Sequence, residues 1–594
     1  MKILGISDSH NSSACLLEDG KVISACEEER FTRVKAENGF PVNAIKVLLK
    51  EYNLIKEEID YVAVSPVSFD YISLKSKRYQ RFGVKEFLFE QEMFWKPTLL
   101  NNARLNYLEV MKEHIEEVKD FYPLHNINFT IDQKEATIMR VKSISECLNI
   151  NPDRIIFVDH HTCHAFHSYF SSPLREDCLI LTADSSGDGI NATVNTIKNG
   201  NYENIFRTSR CNIGRIYRLI TLLLRMRPHH DEYKVMGLAA YAKEYAIKGP
   251  YSVFKDTLYV DGLEFKYYKE IKDHYEYFAE RLEPYRFDAI AGALQKYVEE
   301  LLVQWVKNAI NISGIENIVF GGGVALNIKA MQAISELPEV NNLFICAGAG
   351  DESLSIGAAQ RVYYDKKSKN GINKLKPLNN AYLGSTFKGN DIKEALEHPF
   401  IKRFYDITQN VSDLEVAKII SEGDPVGIMF GSMEFGPRAL GHRSIIADPR
   451  NCDIVRKINE AIKNRDFWMP FAPSVLFERV SDYLINPKGL IAPYMTITFK
   501  VTDLGRKELA AAIHPYDFTT RPQMVTKEAN GRYYDIIKAF EKLTGVGAVL
   551  NTSFNIHGKP IVLKPIDVVN EILTDETVVM KYILFDTILL SRKS

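Results

Sequence analysis

The sequence predicts an α/β protein in two lobes, the first of them built twice on one plan. Three observations carry this. Residues 2–27 and 178–207 repeat one order of apolar runs and turns, a Lys- and Asn-rich stretch near 362–380 interrupts the chain, and 594 residues exceed what one core accommodates.

In the first copy the run KILGIS leads into the polar turn DSHNSS, then ACLL, the pair Asp19-Gly20, and KVISAC. In the second, CLILTA leads into DSSGDG, then INATVNTI, Asn199-Gly200 and YENIFR. Asp-Gly and Asn-Gly between apolar runs are hairpin signals, so each copy predicts three antiparallel strands. Each first strand enters a turn rich in Asp, Ser and Gly, whose successive N–H groups suit a phosphate. Gly187 and Asp188 lie in the second of these turns. Two such copies, about 175 residues apart, fit the duplicated actin/hexokinase-like architecture, which clamps a nucleotide between its halves.

Downstream, ENIVFGGGVALNIK (316–329) reads as a strand, three glycines and a helix start, a turn that lets backbone approach a nucleotide. LFICAGAGDESLSIGAA (343–359) follows as a strand, a Gly/Ala turn, an acid pair and a small-residue helix. The polar stretch after it, with Gly371 and Pro377, marks a linker. The predicted division is a first lobe over 1–365, a linker over 366–384 and a second α/β lobe over 385–594. Residues 66–150 are aromatic- and charge-rich, and read either as an elaboration over a substrate or as ordinary helical packing.

Lys plus Arg total 74 against 76 Asp plus Glu, a formal net charge of −2. That balance argues against a protein coating nucleic acid or an anionic membrane. No run approaches the roughly 20 apolar residues that span a bilayer; the most apolar segment, near 216–226, is broken by Arg218 and Arg225. Asp8 and His10 interrupt the N-terminus before a signal-peptide core forms. Eight cysteines without CxxC spacing predict neither a disulfide framework nor a Cys zinc site. The expectation is a cytoplasmic protein.

The sharpest local signal is VDHHTCHAFHSYF (158–170), with four histidines in eight positions. On a helix His160 and His164 stand one turn apart on one face, a half-site for a divalent metal, with His167 near that face and His161 offset. Asp184 and Asp351 head two of the turns described above and are the carboxylates suited to complete it. The later part of the chain carries another signature. Arg438, Arg443 and Arg450 sit among Gly436, Pro437 and Gly441; Lys463 and Arg465 precede a Pro/aromatic turn; Arg521, Asn551, Ser553 and Asn555 follow in VLNTSFN-type strand and turn contexts. Arginines in Gly/Pro turns suggest a preformed pocket for a small phosphate or carboxylate.

Taken together, the N-terminal turn with His10, Ser12 and Ser13, CEEERFTRVK (26–35), DHHTCHA, KVMGLAAY (234–241), GGGVALN, AGDESLSIGAA, EFGPRALGHRSI and LNTSFN resemble the O-carbamoyltransferases, in the family's order. The resemblance implies a first lobe like the actin-like, iron-binding tRNA threonylcarbamoyl transferase subunit and a second lobe of YrdC-like fold. It implies that carbamoyl phosphate and ATP, with Mg2+ where ATP requires it, give carbamoyladenylate, pyrophosphate and phosphate in the second lobe. The first lobe then transfers the carbamoyl group to a hydroxyl of a small natural product or sugar. By motif match, Arg438, Arg443, Lys463, Arg521, Asn551 and Ser553 bind carbamoyl phosphate and the nucleotide. His160, His164, Asp184 and Asp351 hold Fe2+ or another divalent metal; Gly187, Asp188, Gly322, Gly323 and Asn327 contact the nucleotide; His10 is the base for the acceptor hydroxyl. A homodimer is implied as well. The chain departs from the family pattern at SDSHNSSA, where many relatives carry Gly-His-Asp, and at His442, where Asn is usual.

Two other enzymes share this architecture. A sugar or metabolite kinase explains the phosphate turns but leaves the histidines and the second lobe without work. A tRNA threonylcarbamoylation enzyme needs a basic stripe for its acceptor, and the sequence has none. A metal or nucleotide sensor leaves Arg438, Lys463 and Arg521 unexplained.

Overall fold

The computed structural model describes residues 1–115, 133–367, 375–463, 465–575 and 578–593. Parts of the 66–150 region and of the 366–384 linker therefore lie outside the described residues. The chain forms two compact units, one of Met1–Glu28 with Ala36–Pro377 and one of Glu29–Lys35 with Leu378–Ser594.

The first unit carries two five-stranded sheets. One contains β1 (Lys2–Ser7), β2 (Ser13–Glu18), β3 (Lys21–Glu27), β4 (Tyr61–Ser65) and β5 (Ile155–Phe157), in the order β3-β2-β1-β4-β5. Strands β6 (Cys178–Gly187), β7 (Ile190–Lys198) and β8 (Asn201–Thr208) open the other. A separate hairpin, β9 (Leu258–Asp261) and β10 (Glu264–Tyr267), precedes its last strands, β11 (Asn317–Gly321) and β12 (Asn342–Phe344). The second sheet runs β12-β11-β6-β7-β8, the same order strand for strand. In both, the first strand pairs antiparallel with the second and parallel with the fourth. The three-strand repeat is thus the visible part of a duplicated five-strand plan; β4 and β5 carry no turn chemistry that marks them in sequence. Ile3 to Ser7 are all buried, as expected where helices cover both faces.

One helix follows the fifth strand of each sheet: His160–Phe170 after β5 and Leu354–Lys366 after β12. A Cβ on Gly357 would stand 2.0 Å from the Cys163 carbonyl oxygen, so these helices meet backbone to backbone. The described part of 66–150 is helical, with Phe82, Phe87, Tyr107 and Met111 packed around Leu222. Packing is what its aromatic residues mostly do.

The second unit is built on eight strands: β13 (Tyr405–Thr408), β14 (Val426–Met429), β15 (Arg443–Ala447), β16 (Ala472–Leu476), β19 (Gln523–Val525), β20 (Ala548–Ser553), β21 (Tyr582–Phe585) and β22 (Ile588–Arg592). A two-stranded ribbon, β17 (Phe499–Lys500) with β18 (Thr519–Thr520), lies apart. The order β13-β22-β21-β14-β15-β20-β16-β19 puts β15 and β20 in the middle, where Ile445, Leu550 and Phe554 join the core. Residues 29–35 belong here. Arg30 donates to the Gly436 carbonyl at 2.8 Å, and Arg33 grips both Glu571 oxygens and the Pro560 and Ile561 carbonyls. No spacing in CEEERFTRVK announces an assignment to the later part of the chain.

Candidate active site

Asp159 caps the histidine helix, accepting the Thr162 N–H at 2.9 Å. The helix turns His160 and His164 inward, their Nε2 atoms 3.0 Å apart. Asp184, just past the middle of β6, and Asp351, after β12, complete the group: His164 Nε2 lies 3.6 Å from Asp184 and 3.4 Å from Asp351, and His160 Nε2 3.6 Å from Asp351. One ligand atom from each of the four lies within 4.8 Å of the others. Donors held about 2.1 Å from one ion are separated by roughly 3.0 to 3.4 Å, so this two-nitrogen, two-oxygen set fits a divalent first-row metal. The backbone aims Asp184, whose oxygens accept the Gly323 and Ser185 N–H groups at 2.7 and 2.5 Å. Burial opposes ionisation of Asp351, but His160 and His164 outweigh it and hold its carboxyl far below the usual range.

The other two histidines of the helix serve structure. His161 hydrogen-bonds Thr182, and His167 hydrogen-bonds the Ala347 carbonyl and Ser171. The expectation that His167 lies near the metal-facing side is corrected by these contacts. Burial pushes it down to about 4 and His161 well below its ordinary value.

The nucleotide set named from the turns divides. A Cβ on Gly187 would stand 2.2 Å from the His160 ring, so this glycine makes room for a metal-type ligand. Asp188 accepts the N–H groups of Val67, Ser68 and His160 at 3.1, 2.7 and 2.8 Å and the Ser68 hydroxyl as well. A carboxylate so occupied pins the start of the histidine helix, and the expectation of a nucleotide contact does not fit it. Gly322, at φ 89°, passes so close to Ala183 that a Cβ would be 2.3 Å from its carbonyl oxygen. Its N–H goes to the Ala349 carbonyl, and Asn327 caps helix Ile328–Ser335 while exchanging amide hydrogen bonds with Gln295.

His10 sits on the turn after β1. Its ring lies 4.4 Å from Tyr79 and 5.8 Å from His229, with Tyr79 and His229 4.7 Å apart. It is close enough to Asp351 for the two to interact electrostatically. The His229 Nε2 accepts from Arg218 at 3.2 Å and from Arg78 at 3.4 Å; burial, then Arg218 and Arg78, drive its pKa well down, so the ring is neutral. Tyr79, His229, Arg78 and Arg218 were not legible as site residues, since they are scattered over about 150 residues. The pair His229-His230, five residues ahead of KVMGLAAY, is the one local signal that was available.

In the second unit Arg438, Arg465 and Arg521 gather. Burial, then Arg438 and Arg465, push the Arg521 guanidinium well below its usual value. Arg465 donates to the Thr552 hydroxyl at 3.0 Å and lies over the Phe471 ring. Lys463, 1% exposed, donates to the Ser553 carbonyl and to the Asn555 carbonyl and side-chain oxygens, the latter at 3.0 and 2.7 Å. Asn551 donates to the Ala439 carbonyl, Ser474 and Gln523. Arg443 corrects the sequence reading: its guanidinium is fully buried and donates to the carbonyls of Leu563, Phe430, His442 and Gly431. Beginning a central strand, it braces the loop instead of facing a ligand. Arg450 pairs with Asp448 at 2.6 Å. Glu434 shapes the EFGPRALGH turn by accepting the N–H groups of Leu440, His442 and Arg443. His442 stacks on Tyr382 at 3.8 Å.

Duplicated sheets carrying a two-His, two-Asp cluster, together with an α/β unit carrying clustered arginines, define a two-unit α/β enzyme. A model of the carbamoyltransferase N-terminus matches residues 2–360, and one of the carbamoyltransferase C-terminus matches residues 417–592. The chain belongs to the carbamoyltransferase family and is a transferase. It is 31% identical over 584 residues to Uncharacterized protein MJ1051 of Methanocaldococcus jannaschii, covering 96% of each chain. It is 29% identical over 606 residues to Nodulation protein NolNO of Sinorhizobium fredii, covering 97% of this chain and 79% of that one. Among solved structures, component A of the (R)-2-hydroxyglutaryl-CoA dehydratase of Acidaminococcus fermentans matches 61% of this chain and 97% of its own, at 14% identity and a TM-score of 0.32. Among the described residues no helix is long and apolar enough to cross a membrane.

Proposed function

We propose that the protein is an O-carbamoyltransferase that activates the carbamoyl group as an adenylate and delivers it to the hydroxyl of a small molecule. The observation that carries this reading is the gathering of Arg438, Arg465 and Arg521, a concentration of positive charge suited to a polyanion such as ATP beside carbamoyl phosphate. In the second unit, carbamoyl phosphate, ATP and one water give carbamoyladenylate, pyrophosphate and phosphate. Arg521 and Arg438 neutralise the reacting phosphates, while Lys463 holds the Ser553–Asn555 turn in place. Arg443 keeps the neighbouring loop rigid, so the donors need no reorganisation as charge develops.

In the first unit the acceptor oxygen attacks the carbamoyl carbon, the carbon–oxygen bond to phosphate breaks, and AMP leaves. His10 accepts the hydroxyl proton, and the Tyr79 and His229 rings fix its orientation. His160, His164, Asp184 and Asp351 would hold a divalent metal, Fe2+ by family resemblance, which when bound supplies Lewis-acid stabilisation of charge on the departing phosphate.

The test is an incubation of the purified protein with ATP, carbamoyl phosphate, Mg2+ and ferrous ion. Carbamoyl-phosphate-dependent release of pyrophosphate is expected, and its absence overturns the reading. Arg521→Ala is expected to impair adenylate formation first. His160→Ala with His164→Ala is expected to abolish bound metal and transfer while adenylate formation persists.

A further inference from the structure

Around His10 positive charge outweighs negative charge. Arg78, Arg215 and Arg218 lie close enough for each of Arg78 and Arg215 to depress Arg218, whose pKa burial and these neighbours bring down to about 10. Glu90 is spent on Arg78, with bonds of 2.8 and 2.7 Å, and on the Tyr107 hydroxyl at 2.8 Å. Glu232 accepts the His229 N–H at 2.7 Å, and burial raises its pKa to about 7, so it carries only part of a charge near neutrality. Among the described residues Arg218 makes a single hydrogen bond, from Nη1 to the neutral His229. Glu90 and Glu232 attract Arg218 electrostatically, yet both hydrogen-bond to other groups, and of the five N–H donors of this half-buried guanidinium one is used among the described residues.

We propose that Arg218 is the recognition point for an anionic group, a carboxylate or phosphate, carried by the hydroxyl acceptor. The distances suit this. Arg218 hydrogen-bonds His229 at 3.2 Å, and the His229 ring centre is 5.8 Å from that of His10. An acceptor with its hydroxyl at His10 and an anion a few bonds away spans that interval. Tyr79, tilted against His10 and edge-on to His229, packs its ring against both imidazoles. Arg215, exposed on the same helix one turn earlier, adds positive charge beside Arg218. The reading rests on His10 as the acceptor's base, and it names the acceptor class as hydroxyl compounds bearing an anion.

The experiment is calorimetry on the full chain with sulfate, and with the matched probes glucose, glucose 6-phosphate and glucuronate. Two sulfate sites are expected, one lost in Arg521→Ala and the other in Arg218→Ala. Glucose 6-phosphate or glucuronate is expected to bind at least about tenfold more tightly than glucose, with Arg218→Ala erasing the difference and Arg218→Lys restoring part of it. Equal binding of charged and neutral probes, or a preference that survives Arg218→Ala, overturns the proposal. So does a rise in the KM for ATP in Arg218→Ala, which would assign the anion to the nucleotide. Native circular dichroism of Arg218→Lys separates loss of the site from loss of the fold. Anion uptake at Arg218 is read without carbamoyl transfer, so it can fail while carbamoyl-phosphate-dependent pyrophosphate release succeeds, and the reverse.

Discussion

In each sheet of the first unit an aspartate follows the last regular antiparallel pair of the first strand, and the two are used in opposite ways. Ser7 pairs with Ser13 at the end of β1, and Ala183 with Ala192 before the irregularity in β6, so Asp8 and Asp184 occupy equivalent positions. Asp8, 1% exposed, is clasped by Arg140 through bonds of 2.8 and 2.7 Å, and Arg140 also donates to the Pro66 and Val67 carbonyls. Among the described residues no Lys or Arg pairs with Asp184; it takes two backbone N–H groups and faces His164. Duplication supplied two carboxylates, and the neighbours decided which became structure and which remained available to a ligand.

Breaking Asp8's clasp is the severest test of that contrast. Arg140→Ala leaves a buried carboxylate uncompensated and is expected to cost about 3–5 kcal/mol in urea unfolding. Asp184→Asn is expected to change stability by less than about 1 kcal/mol while eliminating metal uptake in calorimetry. Equal stability losses in the two variants would remove the distinction.

Acid sharpens it next. His167 has a folded pKa of about 4, below the ordinary 6.5, so the unfolded chain binds the extra proton. Its contribution is complete above pH 6.5 and is lost as pH falls from 6.5 to 4, up to about 3 kcal/mol. Urea titrations at pH 7 and pH 5 read the loss, and His167→Gln is expected to flatten it.

Gly187→Ala perturbs the open side alone. Its methyl would enter the His160 ring position, and metal affinity is expected to fall roughly 10- to 100-fold by isothermal titration. Unchanged affinity would show that His160 does not need that approach. The smallest effect is Asn327→Ala, which removes a helix cap and is expected to cost about 1 kcal/mol, with metal binding unaltered.

Much of this was legible in the sequence because it is local. The Asp19-Gly20 and Asn199-Gly200 hairpins, the histidine helix and the i, i+4 imidazoles follow from turn chemistry and helical period. Asp184 and Asp351 were identifiable because each ends an apolar run beside small residues. Arg443 and Asp188 were misread because a charged side chain spent on backbone groups and one facing a phosphate or nucleotide look alike in a Gly-rich turn.

Sequence alone therefore determined the α/β class, the duplicated three-strand plan, the family and the four residues of the metal-type cluster. Tertiary structure decided the rest: Arg140 against Asp8, Tyr79 and His229 against His10, residues 29–35 with the second unit, and Arg443 in its interior. Periodicity and turn chemistry constrain neighbours within a few residues. Which groups meet across tens to hundreds of residues is settled by strand register and by the desolvation of charges as the cores close.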